Sequence, residues 1–212
     1  MKILVVGASK GTGALCVKSA LARGHEVSAF ARTPSRLELT HDKLTKVKGD
    51  FHDAASVSAA VKGHDAVIVT ASVASLGDLK KKPDYFSHGT KLCIDAMKEH
   101  AVKRLVILSA YGAGESKANA GWFLRTFMIG MILKRAFVDH DVQEQLTKDS
   151  GLEFVIARPT RLTDGPAKGN YQKVVDLKVA VPSSISRADV ADFMVEACTT
   201  TEFVGKAVGL GG

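Results

Sequence analysis

Short apolar runs alternate along this chain with longer stretches whose apolar positions recur at helical spacing. Lys2 to Val6 (KILVV), bounded by Gly7, reads as a buried strand. Gly11 to Arg23 places Ala14, Leu15, Val17, Ala20 and Leu21 on one helical face, and Gly24 ends that helix as a C-cap. His25 to Phe30 is a second strand and Lys43 to Lys48 a third. Asp53 caps a helix running to Val61. Ala66 to Thr70 is a fourth strand, Asp84 to His100 a helix, and Arg104 to Ser109 a fifth strand. A long helical region spans about 121 to 148, with a break expected near Val138 to His140. A sixth strand, Glu153 to Ala157, is closed by Arg158-Pro159. A last helix, Arg187 to Thr199, has Ser186 as its cap. The strands are apolar throughout instead of alternating, as strands covered on both faces must be. The expected fold is therefore α/β, a doubly wound parallel sheet with helices on both faces. One domain over residues 1–212 is expected, its substrate site formed by about residues 110–180.

Composition narrows the class. With 46% hydrophobic and 24% charged residues, neither disorder nor a collagen-like repeat fits. Cys16, Cys93 and Cys198 lie far apart with no C-x-x-C pair, which speaks against a disulfide framework or structural zinc and for the thiols of a cytoplasmic protein. No stretch approaches the roughly 20 apolar residues of a membrane span; Trp122 to Leu133 comes nearest and contains Arg125. MKILVVGAS turns polar too soon for a signal peptide and suits a buried strand. The net charge of +7 suits a phosphorylated cofactor or simply solubility. Its cations are spread out, apart from Lys80 to Lys82, and do not interleave with aromatics, so nucleic acid is not the expected partner.

The first strand runs into Gly7-Ala8-Ser9-Lys10-Gly11-Thr12-Gly13 and then a helix. This order makes an anion site, because free backbone N–H groups and the positive end of the helix dipole face the ligand. Gly7 permits the tight turn, Gly11 lets a pyrophosphate approach, and Gly13 lets the helix pack on the strand. The acidic residue that would bind a ribose 2′-hydroxyl about 20 residues on is missing. Arg32 ends the second strand instead, Arg36 follows, and Lys10 sits inside the turn. Cations without a carboxylate favour NADP(H) over NAD(H).

GASKGTG is similar to the glycine motif of the short-chain dehydrogenase/reductase superfamily, and Lys10 with Arg32 resembles its NADP-preferring members. The segments GDFHDAASVSAAVKGHDAVIVT, GTKLCIDAMKEHAVKRLVILSA and SGLEFVIARPT resemble the atypical branch, which includes NmrA-like NADP-binding proteins and biliverdin reductase B-like flavin reductases. The resemblance implies that Asp50 and Phe51 hold the adenine. It places Thr70, Ala71 and Ser72 under the adenosine and ribose. Ser109 then lies near the nicotinamide and substrate, and Pro159 and Thr160 hold the carboxamide. Lys10 takes the middle-glycine place of that branch, as in the Tyr-Lys-dependent branch. Yet no tyrosine has its lysine: Gly89, Glu115 and Val175 stand four residues after Tyr85, Tyr111 and Tyr171.

Hydride chemistry without a Tyr-Lys pair suits a flavin or similar planar acceptor such as FMN, whose proton can come from water. Arg161 is the candidate cation for the acceptor's negative charge. Ser109 is a candidate hydrogen-bond donor, and Tyr111 a candidate stacking or proton-donating group. Two other readings stay open: a non-catalytic NADP(H) sensor of NmrA type, and a reductase or isomerase of a small carbonyl or sugar derivative. No metal site is expected, and His140 between Asp139 and Asp141 reads as a solvated helix turn. Trp122 to Phe137, apolar on most sides of a helix, is a candidate roof over the substrate, a homodimer contact or a segment lying against a membrane surface; a monomer is the alternative to the dimer.

Overall fold

The computed structural model describes residues 1–71, 83–119, 134–175 and 179–212. Ser72, Lys80 to Lys82 and Trp122 to Leu133 lie outside the described residues. The strands are β1 (Lys2–Val6), β2 (Glu26–Ala31), β3 (Leu44–Lys48), β4 (Ala66–Val69), β5 (Arg104–Leu108), β6 (Glu153–Pro159), β7 (Arg161–Thr163), β8 (Gln172–Val174), β9 (Ser184–Ser186) and β10 (Lys206–Gly211). The helices are α1 (Gly11–Ala22), α2 (Ala54–Val61), α3 (Tyr85–Glu99), α4 (Lys134–Lys148) and α5 (Arg187–Thr199). Two 3₁₀ turns, Pro34–Arg36 and Gly114–Asn119, complete the described elements.

The main sheet has the order β3-β2-β1-β4-β5-β6-β10-β8. Its pairings are parallel except β10 with β8. Strand order reverses direction between β1 and β4, the switch point of a doubly wound sheet, where a crevice opens beyond the strand carboxyl ends. Alternate residues of each strand feed separate cores. Ile3 and Val5 pack with Cys16, Val17, Phe193 and Met194 of α1 and α5. Leu4 and Val6 pack with Val57, Val61, Cys93 and Met97 of α2 and α3. Each such fully buried aliphatic side chain contributes about 1.5–3 kcal/mol. All three cysteines are buried within these cores.

The expected caps form. Asp53 accepts the Ser56 N–H at 2.7 Å, Ser186 accepts that of Asp189 at 3.0 Å, and Gly24 takes φ +83° after α1. The structure departs from the sequence reading at three places. First, β6 does not stop at Ala157; it continues through Arg158 to Pro159, which lies beyond the last pairing with β5 and beside Leu210 of β10. Second, Lys206–Gly211, for which no element was expected, forms β10. A Cβ at Gly211 would lie 2.5 Å from the Pro182 carbonyl oxygen, so the glycine reflects close backbone approach and not a turn.

Third, α4 has no break at 138–140. Its pattern is inverted: Val138 and Val142 are about half exposed, while Asp139, Gln143 and Glu144 are buried. Asp139 accepts the Phe86 and Ser87 N–H groups at 2.6 and 3.1 Å, and Gln143 donates to Thr90 at 2.9 Å. The residues around His140 are thus an inter-helix contact and not a solvated turn, and the His140 ring stacks on Phe86. Among the described residues no helix is long and apolar enough to cross a membrane.

Candidate functional site

The glycine turn is built by steric necessity. Gly7 has φ +85°, and a Cβ there would lie 2.8 Å from the Ala71 backbone. A Cβ at Gly13 would lie 2.3 Å from the Gly7 carbonyl oxygen, so α1 can pack this tightly on β1 only with glycine. The turn is pinned over the end of β2, where the Phe30 carbonyl accepts the N–H groups of Gly7 and Ala8 at 3.0 and 3.3 Å. Gly11 differs. Its φ is +57°, and a Cβ there meets no protein atom within 4 Å. That open approach lies at the start of α1, whose first N–H groups have no partner within the helix. Lys10 is the residue before the helix, and Thr12 is buried in its first turn.

A cleft of ≈ 270 Å³ opens beside this turn. Ser9 and Lys10 line it from the turn, Arg32 from the end of β2, and Arg36 from the 3₁₀ turn that folds back. Asp50 and Phe51 enter from the end of β3, and Ala71 from the end of β4. Lys10, Arg32 and Arg36 are exposed, and among the described residues none of them has an ion-pair partner. Asp50 Oδ1 accepts the His52 N–H at 2.9 Å. Thr70 is placed differently from expectation: its hydroxyl donates to the Val6 carbonyl at 2.8 Å, so it ties β4 to β1 beneath the turn.

Sequence reasoning missed two residues here. Tyr85 lines the cleft from the start of α3, and its carbonyl lies 3.0 Å from His52 Nε2. Gly89 is the space into which the Phe51 ring fits, since a Cβ there would lie 2.2 Å from it. Only the short reach of Gly89 within an otherwise bulky helix signals this, and its partner lies on another element.

The ends of β5 and β6 bring together Ser109, Tyr111, Pro159 and Thr160. Tyr111 N–H donates to the Pro159 carbonyl at 2.8 Å, and Tyr111 is half-buried. Arg161 starts β7 with an exposed side chain. Beneath this end lies an ion cluster with no counterpart in the sequence expectations. Glu144 of α4, 1% exposed, accepts the Ser109 hydroxyl at 2.6 Å and Arg158 Nε at 2.9 Å on one oxygen, and Arg158 Nη2 at 2.5 Å on the other. Arg158 Nη2 also reaches Glu115 at 2.6 Å, and Lys148 pairs with Glu115. Burial alone would lower the Arg158 pKa, but the two carboxylates hold it above its ordinary value. The bonds from Arg158 and Lys148 bring the Glu115 carboxyl down to about 2.

The comparisons agree with this geometry. The chain matches the NAD(P)H-binding family over residues 7–201. It is 30% identical over 175 residues to sterol demethylase protein B of Methylococcus capsulatus, covering 78% of this chain and 52% of that protein. The chain thus spans about half the length of that relative. Among solved structures, a short-chain dehydrogenase/reductase of Veillonella parvula in complex with NADP superposes with a TM-score of 0.81 at 16% identity, covering 100% of this chain and 94% of the other. ChuY, an anaerobillin reductase of Escherichia coli O157:H7, superposes with a TM-score of 0.80 at 22% identity, covering 100% and 97%. With its glycine turn at the head of a 3-2-1-4-5-6 parallel sheet, a Rossmann fold, the chain belongs to the NAD(P)H-binding family.

Proposed function

We propose that the protein is an NADPH-dependent oxidoreductase that passes hydride to a flavin or similar planar acceptor. The observation that carries the cofactor half is the set of unpaired cations on the cleft. Lys10, Arg32 and Arg36 flank one opening beside the turn, and Asp50, the carboxylate that lines it, sits across at the end of β3. A guanidinium pair suits a 2′-phosphate, and a carboxylate suits the adenine amine. The N–H groups opening α1 would take the pyrophosphate, approached across Gly11. Phe51 and Ala71 would wall the adenosine. The remaining half of the dinucleotide then crosses the switch point toward Ser109, Pro159 and Thr160.

When bound, the reduced nicotinamide supplies the hydride. This chain supplies orientation and charge. Arg161, exposed at the start of β7, meets the negative charge that a reduced flavin acquires, and the half-buried Tyr111 offers a ring for stacking. The acceptor would lie against residues of about 110–180. Two structural neighbours support the class: ChuY is an anaerobillin reductase, and the Veillonella protein is in complex with NADP.

The test is NADPH oxidation by purified protein with and without FMN. A saturable FMN-dependent rate that Arg161→Ala lowers about tenfold is expected, the size of one lost charge-assisted contact. Saturable NADPH binding with no turnover would instead indicate a cofactor sensor or a small carbonyl substrate.

A further inference from the structure

The donors of Ser109 and Thr160 and the Tyr111 N–H are spent inside the protein. Ser109 N–H goes to the Ala157 carbonyl at 2.8 Å and Tyr111 N–H to that of Pro159. Thr160 N–H and the Thr160 hydroxyl both go to the Leu210 carbonyl, at 3.0 and 3.2 Å. The Ser109 hydroxyl has one hydrogen, and it goes to Glu144. A carboxylate cannot return a hydrogen bond, and Arg158, bonded to each of its oxygens, keeps Glu144 ionised and acceptor-only. What Ser109 and Thr160 have left are lone pairs. Ser109 is also in the right place. The last β4–β5 pair is Val69 with Ile107; Ala71 and Ser109 each stand two residues beyond it at the carboxyl ends of these neighbouring strands, and Ala71 lines the cofactor cleft.

We infer that Glu144 is a positioning residue. By holding the Ser109 proton away from the crevice, it leaves the Ser109 hydroxyl as a hydrogen-bond acceptor, so the ligand group that settles against Ser109 is an N–H donor. The inference rests on the cofactor reading above. It also revises the role expected for Ser109, from donor to acceptor. Two ligands can bring the N–H: the amide of the nicotinamide, or the ring N–H of a planar acceptor.

A binding experiment separates these sources without requiring turnover. NADP⁺ and its nicotinic acid analogue, in which the amide NH₂ is replaced by O⁻, are titrated calorimetrically into wild type, Ser109→Ala and Glu144→Gln. FMN is then titrated into each NADP⁺ complex, and a thermal melt confirms that each variant is folded. If the amide is the donor, wild type prefers NADP⁺ by about tenfold or more, because the acid lacks the donor and meets lone pairs with a negative charge. That preference shrinks severalfold in both variants. If the acceptor is the donor, the preference is unchanged and FMN affinity falls severalfold in both. A purely structural role for Glu144 would weaken all ligands together and leave the ratio untouched. Wild-type preference and wild-type FMN affinity in Ser109→Ala would overturn the inference. Failure of wild type to bind NADP⁺ would overturn the cofactor reading itself.

Discussion

Two arginine-bearing regions of this molecule stand at the same edge of one sheet and are opposites. At the end of β2, Arg32 and Arg36 are exposed, and among the described residues neither meets a carboxylate. At the end of β6, Arg158 is 2% exposed and shared between Glu144 and Glu115. The first region holds charge ready for a ligand, and the second consumes it internally. A cation kept solvated and unpaired costs the fold little and can be given to a phosphate. A buried cation must be matched within the protein, because desolvation of an unmatched one costs several kcal/mol. Position at a strand carboxyl end therefore does not make an arginine part of the binding site; its partner decides.

The comparison breaks most visibly at Arg158. Arg158→Met leaves Glu144 buried and unpaired and is expected to cost about 3–5 kcal/mol in urea denaturation. Adding Glu144→Leu to it should recover most of that loss, since the pair replaced together removes the uncompensated charge. Equal stability of the single variant and wild type would show that the cluster is not matched as described. At the other region even a full reversal of charge should spare the fold. Arg32→Glu is expected to weaken NADPH by roughly 100-fold and NADH by severalfold at most, with an unchanged melt. Equal losses for both cofactors would remove the 2′-phosphate from this site.

The smallest effect sharpens the comparison through pH. Glu115 titrates near 2 in the folded chain against an ordinary 4.5. Its depressed pKa adds stability that is complete above pH 4.5 and is lost as pH falls through about 2. More than half of its side chain is exposed, so solvent screening keeps the contribution to about 1 kcal/mol or less. Glu115→Gln should therefore flatten the stability profile between pH 4.5 and 2 and leave the pH 7 preference for NADPH untouched. An acid limb as steep as wild type would assign the loss to other carboxylates.

The cleft beside the glycine turn was legible in the sequence because its signals are local. An apolar run, glycines at 7, 11 and 13, and cations after the next strand each carry their meaning within a few residues. The β5–β6 side was not, because its meaning is distributed. Glu144 looks like a surface residue of a charged helix, and only the fold puts it between Ser109 and Arg158. The same distance hid Gly89, whose absent side chain matters only once Phe51 lies across it. Ser109 was found by position, but the direction of its hydrogen bond depends on a residue 35 places away. The inverted faces of α4 misled the periodicity in the same way. Its polar residues are buried by tertiary partners, so hydrophobic spacing suggested a break where the helix is continuous.

The cap of α3 has a consequence for how the chain assembles. Helices α2 and α5 carry their own caps, Asp53 and Ser186, and can complete a first turn from local sequence. Asp84 precedes α3 but its side chain makes no capping bond. The first turn of α3 is instead closed by Asp139, 53 residues further along. Helix α3 is therefore complete only after α4 has docked. Its Phe86 and Ser87 amides open to solvent when the two helices part, which makes α3 and α4 one cooperative unit of folding instead of two neighbours in a layer.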